Sequence, residues 1–318
     1  MKDSRIRSVL AVVTNPFSNE QLALNKGAAI AQRSGARLTL LNTFMIPEPV
    51  TDVPMDSQRS IIESAKKHRR TRIEQLAAKW RKRGVKIKVL SEWDYPAHEA
   101  IVRAVLRERP DLVVAESHRH GTFARWLLAN TDWELIRHCP CDVWFVRGEK
   151  LPARQNILVA VDPFHAREKP ARLDDRLLQA AERVAGDLGG QVAVAHAYYA
   201  PVTSTSGSLS EPFRWPRAAS VAREHAVRVE KTVNRLAERY EIPSARRHLI
   251  EGEPAAAIAK FTKTRGTDLL GMGAVSRSAV QRAVLGNTAE KVIDAVGCDV
   301  LVVKPRGFKT SVPKVRPR

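Results

Sequence analysis

Three cysteines in 318 residues, Cys139, Cys141 and Cys298, are too few for a disulfide framework. That excludes a small secreted scaffold held by disulfides and points to a reducing compartment. Nowhere do about 18 apolar residues run together, so the sequence offers no transmembrane helix. The apolar stretch near the N-terminus, Val9 to Val13, is shorter than the roughly 7 to 15 residues of a signal-peptide core. A soluble, cytoplasmic protein is expected. Negative charge is scarce: 34 Asp and Glu stand against 53 Lys and Arg, a formal net charge of +19. The charged fraction of 27% is nevertheless ordinary, so the imbalance is one of sign rather than amount. Enzyme signatures are missing as well, with no G-x-S-x-G elbow and no H-E-x-x-H helix. No catalytic residues are assigned.

What the chain does have is apolar content and repetition. At 44% hydrophobic residues and about 150 residues per domain, it can bury two cores. The segment SVLAVVTNPF near the start returns as NILVAVDPF in the middle, which sets Asn15-Pro16-Phe17 against Asp162-Pro163-Phe164. NTDWELIRHCPCDVWFVR from Asn130 returns as NTAEKVIDAVGCDVLVVK from Asn287, with Asn130, Thr131, Ile136, Cys141, Asp142, Val143 and Val146 repeated identically. Within each copy, short β-branched runs alternate with helical patterns, which predicts βαβ units and a parallel sheet. Five strands are expected in copy one, near Val9 to Val13, Arg37 to Leu41, Lys86 to Leu90, Leu112 to Ala115 and Val143 to Val146. Copy two echoes them near Ile157 to Val161, Val192 to His196, Arg247 to Ile250, Leu269 to Met272 and Val300 to Val303. The linker lies in RGEKLPARQ, where Gly, Pro and charge replace the apolar pattern. The expected fold is thus α/β, with two tandem domains, 1–149 and 154–305, each a five-stranded parallel sheet flanked by helices. Residues 306–318 read as a basic tail without structure.

Ligands of open parallel sheets sit outside the carboxyl ends of the strands. In copy two those ends carry Asp162 and the stretch GMGAVSRSAVQRAVLGNTAEKV. Glycines let the backbone approach a ligand, and Asn287-Thr288 with Glu290 opens a helix whose free N–H groups favour phosphate. Ser276, Arg277 and Thr288 would add donors, and Asp162 would accept from a ribose hydroxyl or an adenine amino group. Taken singly, each residue has an ordinary structural reading as a turn glycine or a cap. A Rossmann fingerprint is excluded, because Gly271-x-Gly273-x-x-Ser276 lacks the last glycine and follows the fourth strand rather than the first.

The combination carries a resemblance. Gly273-x-x-Ser276, nine residues, then Gly286-Asn287-Thr288, followed by AEKVI, Cys298 and DVLVVKP, resembles the nucleotide-binding signature of universal stress proteins. That pattern is G-x-x-G, nine residues, then G with a small polar residue, and Ser276 stands in place of its second glycine. The match extends to Asp162, to His196-Ala197 and to Met272. SEWDYPAHEAI and NTDWELIRHCPCDVW resemble the first half of the tandem E-type branch of that family. The resemblance implies a universal stress protein or adenine nucleotide alpha-hydrolase-like fold and a stress-response regulator that acts through a protein partner. Any ATP hydrolysis would be slow and secondary. It also implies that Asp162, Ala197, Met272, Gly273, Ser276, Arg277, Gly286, Asn287 and Thr288 hold ATP or a related nucleotide. In copy one Glu116 and Arg119 replace the loop glycines, Ala129 the third, and Asn15 the aspartate, so that site is expected to be degenerate. The copies are expected to pair within the chain, and the chain to form a homodimer.

Other groupings carry less. His118, His120, His138, Cys139 and Cys141 are potential zinc ligands without the paired spacing of a knuckle, so no metal is expected. Cys141 and Cys298, equivalent in the two copies, read as small buried hydrophobes. The basic stretch from Lys66 to Gly84 reads as a solvated helix with Ile73, Leu76, Ala77 and Trp80 inward, or as a nonspecific patch for nucleic acid or anionic lipid. A carrier of an apolar, lipid-like molecule is the third possibility, with Phe44 to Asp56 and Tyr198 to Trp215 as cover.

Overall fold

The computed structural model describes residues 5–45, 54–117, 129–164, 172–199, 218–274 and 287–315. All ten expected strands are present. Copy one contributes β1 (Ser8–Val12), β2 (Arg37–Phe44), β3 (Ile87–Trp93), β4 (Leu112–Glu116) and β5 (Asp142–Val146). Copy two contributes β6 (Gln155–Ala160), β7 (Gly190–Tyr198), β8 (Arg247–Glu251), β9 (Leu269–Gly273) and β10 (Asp299–Val303). Between them run α1 (Leu22–Ser34), α2 (Met55–Arg81), α3 (Ala97–Glu108) and α4 (Ala129–His138), then α5 (Leu173–Leu188), α6 (Ala218–Glu238), α7 (Pro254–Thr264) and α8 (Asn287–Ala295). Among the described residues no helix is long and apolar enough to cross a membrane.

The strands form one sheet in the order β3-β2-β1-β4-β5-β10-β9-β6-β7-β8. Pairing is parallel within each copy and antiparallel only where β5 meets β10. Both faces are covered, which is why the central strands are nearly unbroken apolar runs. One core packs α1, α2, α5 and α6 against residues such as Leu40, Trp144 and Leu301. The other packs α3, α4, α7 and α8 against Leu10, Phe145 and Val300. Gly27 shows how close the layers come: a Cβ there would lie 2.8 Å from the Cβ of Ala11, so α1 rests on β1 through bare backbone. In α2 only Ile73, Ala77 and Trp80 are buried, all near its C-terminal end, as the expected inward stripe requires. The SEWDYPAHEAI phrase folds around the buried Arg103, whose guanidinium meets Asp94 in two bonds of 2.7 Å and Glu99 at 2.9 Å.

The seam between the copies obeys a pseudo-twofold rule. Val300 pairs with Phe145, Leu301 with Trp144 and Val302 with Val143. Each terminal strand opens with an aspartate held by the other copy. Asp299 accepts from the backbone N–H of Arg147 at 2.8 Å and from the Trp144 indole at 2.9 Å, and pairs with Lys26 at 2.8 Å. Asp142 accepts from the backbone N–H of Lys304 at 3.1 Å and pairs with Arg176 at 2.9 Å and Arg183 at 3.1 Å. The residue after each strand reaches across to the opposite helix end. Arg147 donates to the carbonyls of Ile293 and Val296, and Lys304 donates to that of Ile136. The linker is tied down as well, with Arg33 donating to the carbonyls of Leu151 and Pro152.

The tail differs from expectation. Residues 306–315 do not form the unstructured extension that their Lys, Arg and Pro content suggests. Arg306 bonds Gln179 at 3.1 Å, Phe308 lies 4.7 Å under the Lys304 ammonium, and Ser311 meets the His138 ring at 3.2 Å. Val312 is buried in the core shared with α4. Composition predicted disorder, but one apolar residue docked into copy one, together with bonds to both copies, holds the segment.

Removing one partner of a buried ion pair strands the other. Asp299→Ala, which leaves the buried Lys26 without its counter-ion and the Trp144 indole without its acceptor, is expected to lower the unfolding free energy by about 3–5 kcal/mol. Glu63→Ala, which cuts the exposed pair with Lys66, should cost less than about 1 kcal/mol. Denaturant titrations of both variants check this, and equal midpoints would refute the role given to the seam.

Candidate functional site

In copy two, β6 sits between β7 and β9, so the strand order reverses there and a crevice opens at the strands' carboxyl ends. Ala160 pairs with Ala195 and Val159 with Gly271. Continuing that register brings Asp162 level with Ala197 on one side and with Ala274 on the other. Asp162 is half-buried, and its backbone N–H points to Asp174 at the start of α5, 3.4 Å away. His196 is buried, shares a hydrogen bond of 2.9 Å through Nδ1 with the carbonyl of Val161 and lies 5.4 Å from the Phe164 ring. It is a satisfied structural group at the crevice floor. Ala197 is half-buried at the end of β7 and Met272 is buried in β9.

The structure therefore brings Asp162, Ala197, Met272 and Gly273 to one end of the sheet. Ser276, Arg277 and Gly286 lie outside the described residues. Asn287 and Thr288 supply the first backbone of α8, which starts where the motif places it, and their side chains lie outside the described part. Gly273 has a packing reason that sequence reasoning missed. A Cβ there would come within 2.8 Å of Leu173, the first residue of α5. Leu173 and Asp174 thus shape the crevice without any motif to announce them.

Copy one has the same backbone and different chemistry. Glu116, at the position of Gly273, turns its carboxylate back to accept from the Ala23 N–H at 3.2 Å. It supplies the cap that Gln21, preceding α1, does not make with its own side chain. Asn15, in place of Asp162, accepts from the Phe17 N–H at 3.0 Å in a local turn. Asn42, buried in β2, donates to the Val13 carbonyl at 2.7 Å, the same tie that His196 makes to Val161. Arg69 lies over the rings of Phe17 and Phe44 at 5.8 and 4.9 Å, and burial lowers its pKa. Ala129 begins α4, and Arg119 lies outside the described residues.

The cysteines are packing residues. The sulfurs of Cys139 and Cys141 lie 3.7 Å apart; their mutual hydrogen bond lowers the first thiol and raises the second. Burial pushes Cys298 up to about 11. Among the described residues no three His, Cys, Asp or Glu side chains converge as metal ligands, and His118 and His120 lie outside them. The segments 46–53 and 200–217, the bulk of the cover imagined for an apolar carrier, are also outside the described residues.

Comparison with known proteins agrees with this geometry. A model of the "Universal stress protein family" matches residues 6–147 and again 153–304. The chain is similar to "Universal stress protein E" of Photorhabdus laumondii, 26% identical over 309 residues that cover 95% of this chain and 96% of the relative. It is 28% identical over 313 residues to the Escherichia coli K12 protein of the same name, again covering 95% and 96%. Among solved structures, a protein of unknown function from Pseudomonas aeruginosa PAO1 superposes with a TM-score of 0.71 at 22% identity, covering 96% of this chain and 95% of the other.

Because Glu116 caps α1 across the degenerate crevice, Glu116→Ala is expected to lower stability by about 1 kcal/mol. Glu116→Gln, which keeps an acceptor, should recover most of the loss in the same denaturant titration, and an unchanged midpoint for both would remove the cap.

Proposed function

Since the chain belongs to the universal stress protein family and carries its fold twice in tandem, we propose that it is a stress-response regulator whose second copy binds ATP or a related nucleotide. The observation that carries this reading is the contrast between two crevices built on one backbone. In copy one a carboxylate folds back across the crevice onto the α1 N-terminus. In copy two that position is Gly273, with Asp162 at the lip and the start of α8 on the far side. The residues fit a nucleotide on both counts: a carboxylate to accept from ribose or base, and free helix N–H groups for phosphate.

Within this reading Asp162, Ala197 and Met272 line the base and sugar end. Gly273, Ser276, Arg277, Gly286, Asn287 and Thr288 hold the phosphates. Bound phosphate orders the loop between β9 and α8, and the ordered surface recruits a protein partner. Binding rather than chemical turnover is the task in this reading, and His196 at the crevice floor is committed through Nδ1 to the Val161 carbonyl. A reducing cytoplasm and a homodimer of the whole chain belong to the same reading. Titration calorimetry of nucleotide-stripped protein with ATP is expected to give one saturable equivalent. Gly286→Asp, which sets a carboxylate among the phosphate donors, should weaken binding at least about tenfold, and unchanged affinity would overturn the site.

A second reading has support from α2. Its buried residues are confined to Ile73, Ala77 and Trp80, while Lys67, Arg70, Lys79, Arg81, Lys82 and Arg83 are exposed. Such a face suits nonspecific attraction to nucleic acid or anionic membrane. If it operates, affinity for a random DNA duplex falls about 100-fold between 50 and 200 mM salt for about four phosphate contacts, whereas ATP affinity changes far less. A salt series on both ligands separates the two.

A further inference from the structure

The pseudo-twofold seam is chemically unequal at its two ends. Beside Asp299 the space is filled: Trp144 donates its indole N–H, the fully buried Lys26 pairs with the carboxylate and bonds the linker carbonyl of Lys150. The symmetry-related place beside Asp142 belongs to Leu301, which is smaller than Trp144 and has no donor. Here a cavity of about 340 Å³ opens between the copies, within the usual range for small-molecule sites. It is lined by Arg176 and Arg183 of α5, by Pro140–Asp142 before and at β5, and by Lys304–Phe308 of the docked tail, with Asp111 at its edge.

Its charges do not balance. Four cationic side chains, Arg176, Arg183, Lys304 and Arg306, face two carboxylates, Asp111 and Asp142. Both carboxylates are already engaged. Asp142 receives two guanidinium groups and a backbone N–H, and Asp111 accepts from the N–H groups of Arg7 and Ser8. Donors are left over on the cationic side. Among the described residues the Nε of Arg183 is buried without a hydrogen-bond partner, Arg306 meets the neutral amide of Gln179, and Lys304 meets a carbonyl and the Phe308 ring. Unpaired guanidinium donors in a concave, partly desolvated site are what a dianionic oxyanion satisfies.

We infer that this cavity is a second ligand site, distinct from the nucleotide crevice, that binds a phosphate group of a small phosphorylated molecule between the two copies. The pair excess of charge matches a phosphate dianion, and the volume leaves room for the rest of a phosphoester. Burial lowers Lys304 to about 8, so an anion beside it would favour the ammonium form and tighten the site. Because its walls come from both copies and from the tail, occupancy would also lock the copies and the tail together. The inference stands without the nucleotide reading.

The test uses the full chain with inorganic pyrophosphate as probe, followed by phosphorus NMR or calorimetry. Saturable binding is expected, weakened at least about tenfold by Arg306→Ala, which removes an exposed guanidinium and leaves Val312 and Ser311 to hold the tail, and by Arg183→Met, which leaves Asp142 its bonds to Arg176 and Lys304. Gly286→Asp should remove only the pyrophosphate held at the nucleotide motif and leave the equivalent that Arg306→Ala weakens, and Lys67→Ala with Arg70→Ala on α2 should change neither. Binding lost in Gly286→Asp but kept in Arg306→Ala would place the anion in the nucleotide motif and overturn the inference. Loss only in the α2 variant, or no saturation by about 10 mM, would overturn it too.

Discussion

The antiparallel pairing of β5 with β10, clamped at each end by a buried aspartate, is the constraint on which the remaining architecture rests. A parallel sheet of five strands leaves an edge of unpaired backbone, and here each copy's edge is closed by the other. The aspartates fix the register because each must meet a backbone N–H just past the partner strand and a cation from the partner's first helix. A slip of one residue would bury charge without its partner, at a cost far above that of any surface pair.

From that seam outward the two halves differ in their side chains while keeping one backbone. The β2 and β7 ends are tied by different residues, Asn42 and His196, to the same kind of carbonyl. The β4 and β9 ends diverge in earnest: a glutamate turns inward to cap a helix in one copy, and a glycine accommodates a leucine in the other. One crevice is thus crossed by a structural carboxylate, while the other has Asp162 at its lip and a glycine at the corresponding strand end. The seam itself follows the same course, with a tryptophan indole and a lysine filling the space beside one aspartate and a cavity opening beside the other.

Much of this was legible in residues alone. Strand positions follow from β-branched runs buried on both faces, and the crevice follows from the rule that ligands meet parallel strands at their carboxyl ends. The degenerate state of copy one was readable in Glu116, although not what the carboxylate would do there, because its partner Ala23 lies 93 residues away and carries no signal of its own. Asp142 and Asp299 are visible in the sequence as part of a repeated CDV, but nothing local distinguishes a repeated turn residue from a clamp between domains. The tail was misjudged because composition averages over residues, whereas docking depends on one valine finding a core.

By itself the sequence determined the α/β class, the duplication and the positions of the strands along the chain, since these follow from periodicity and short-range repetition, and the family followed from resemblance to a known signature. Only the tertiary structure decided that the copies share one sheet, that their two aspartates are exchanged, that one crevice is crossed by a carboxylate, and that cations from α5 and the tail surround a cavity. These depend on groups separated by tens to hundreds of residues, whose burial and charge balance exist only once the chain has folded.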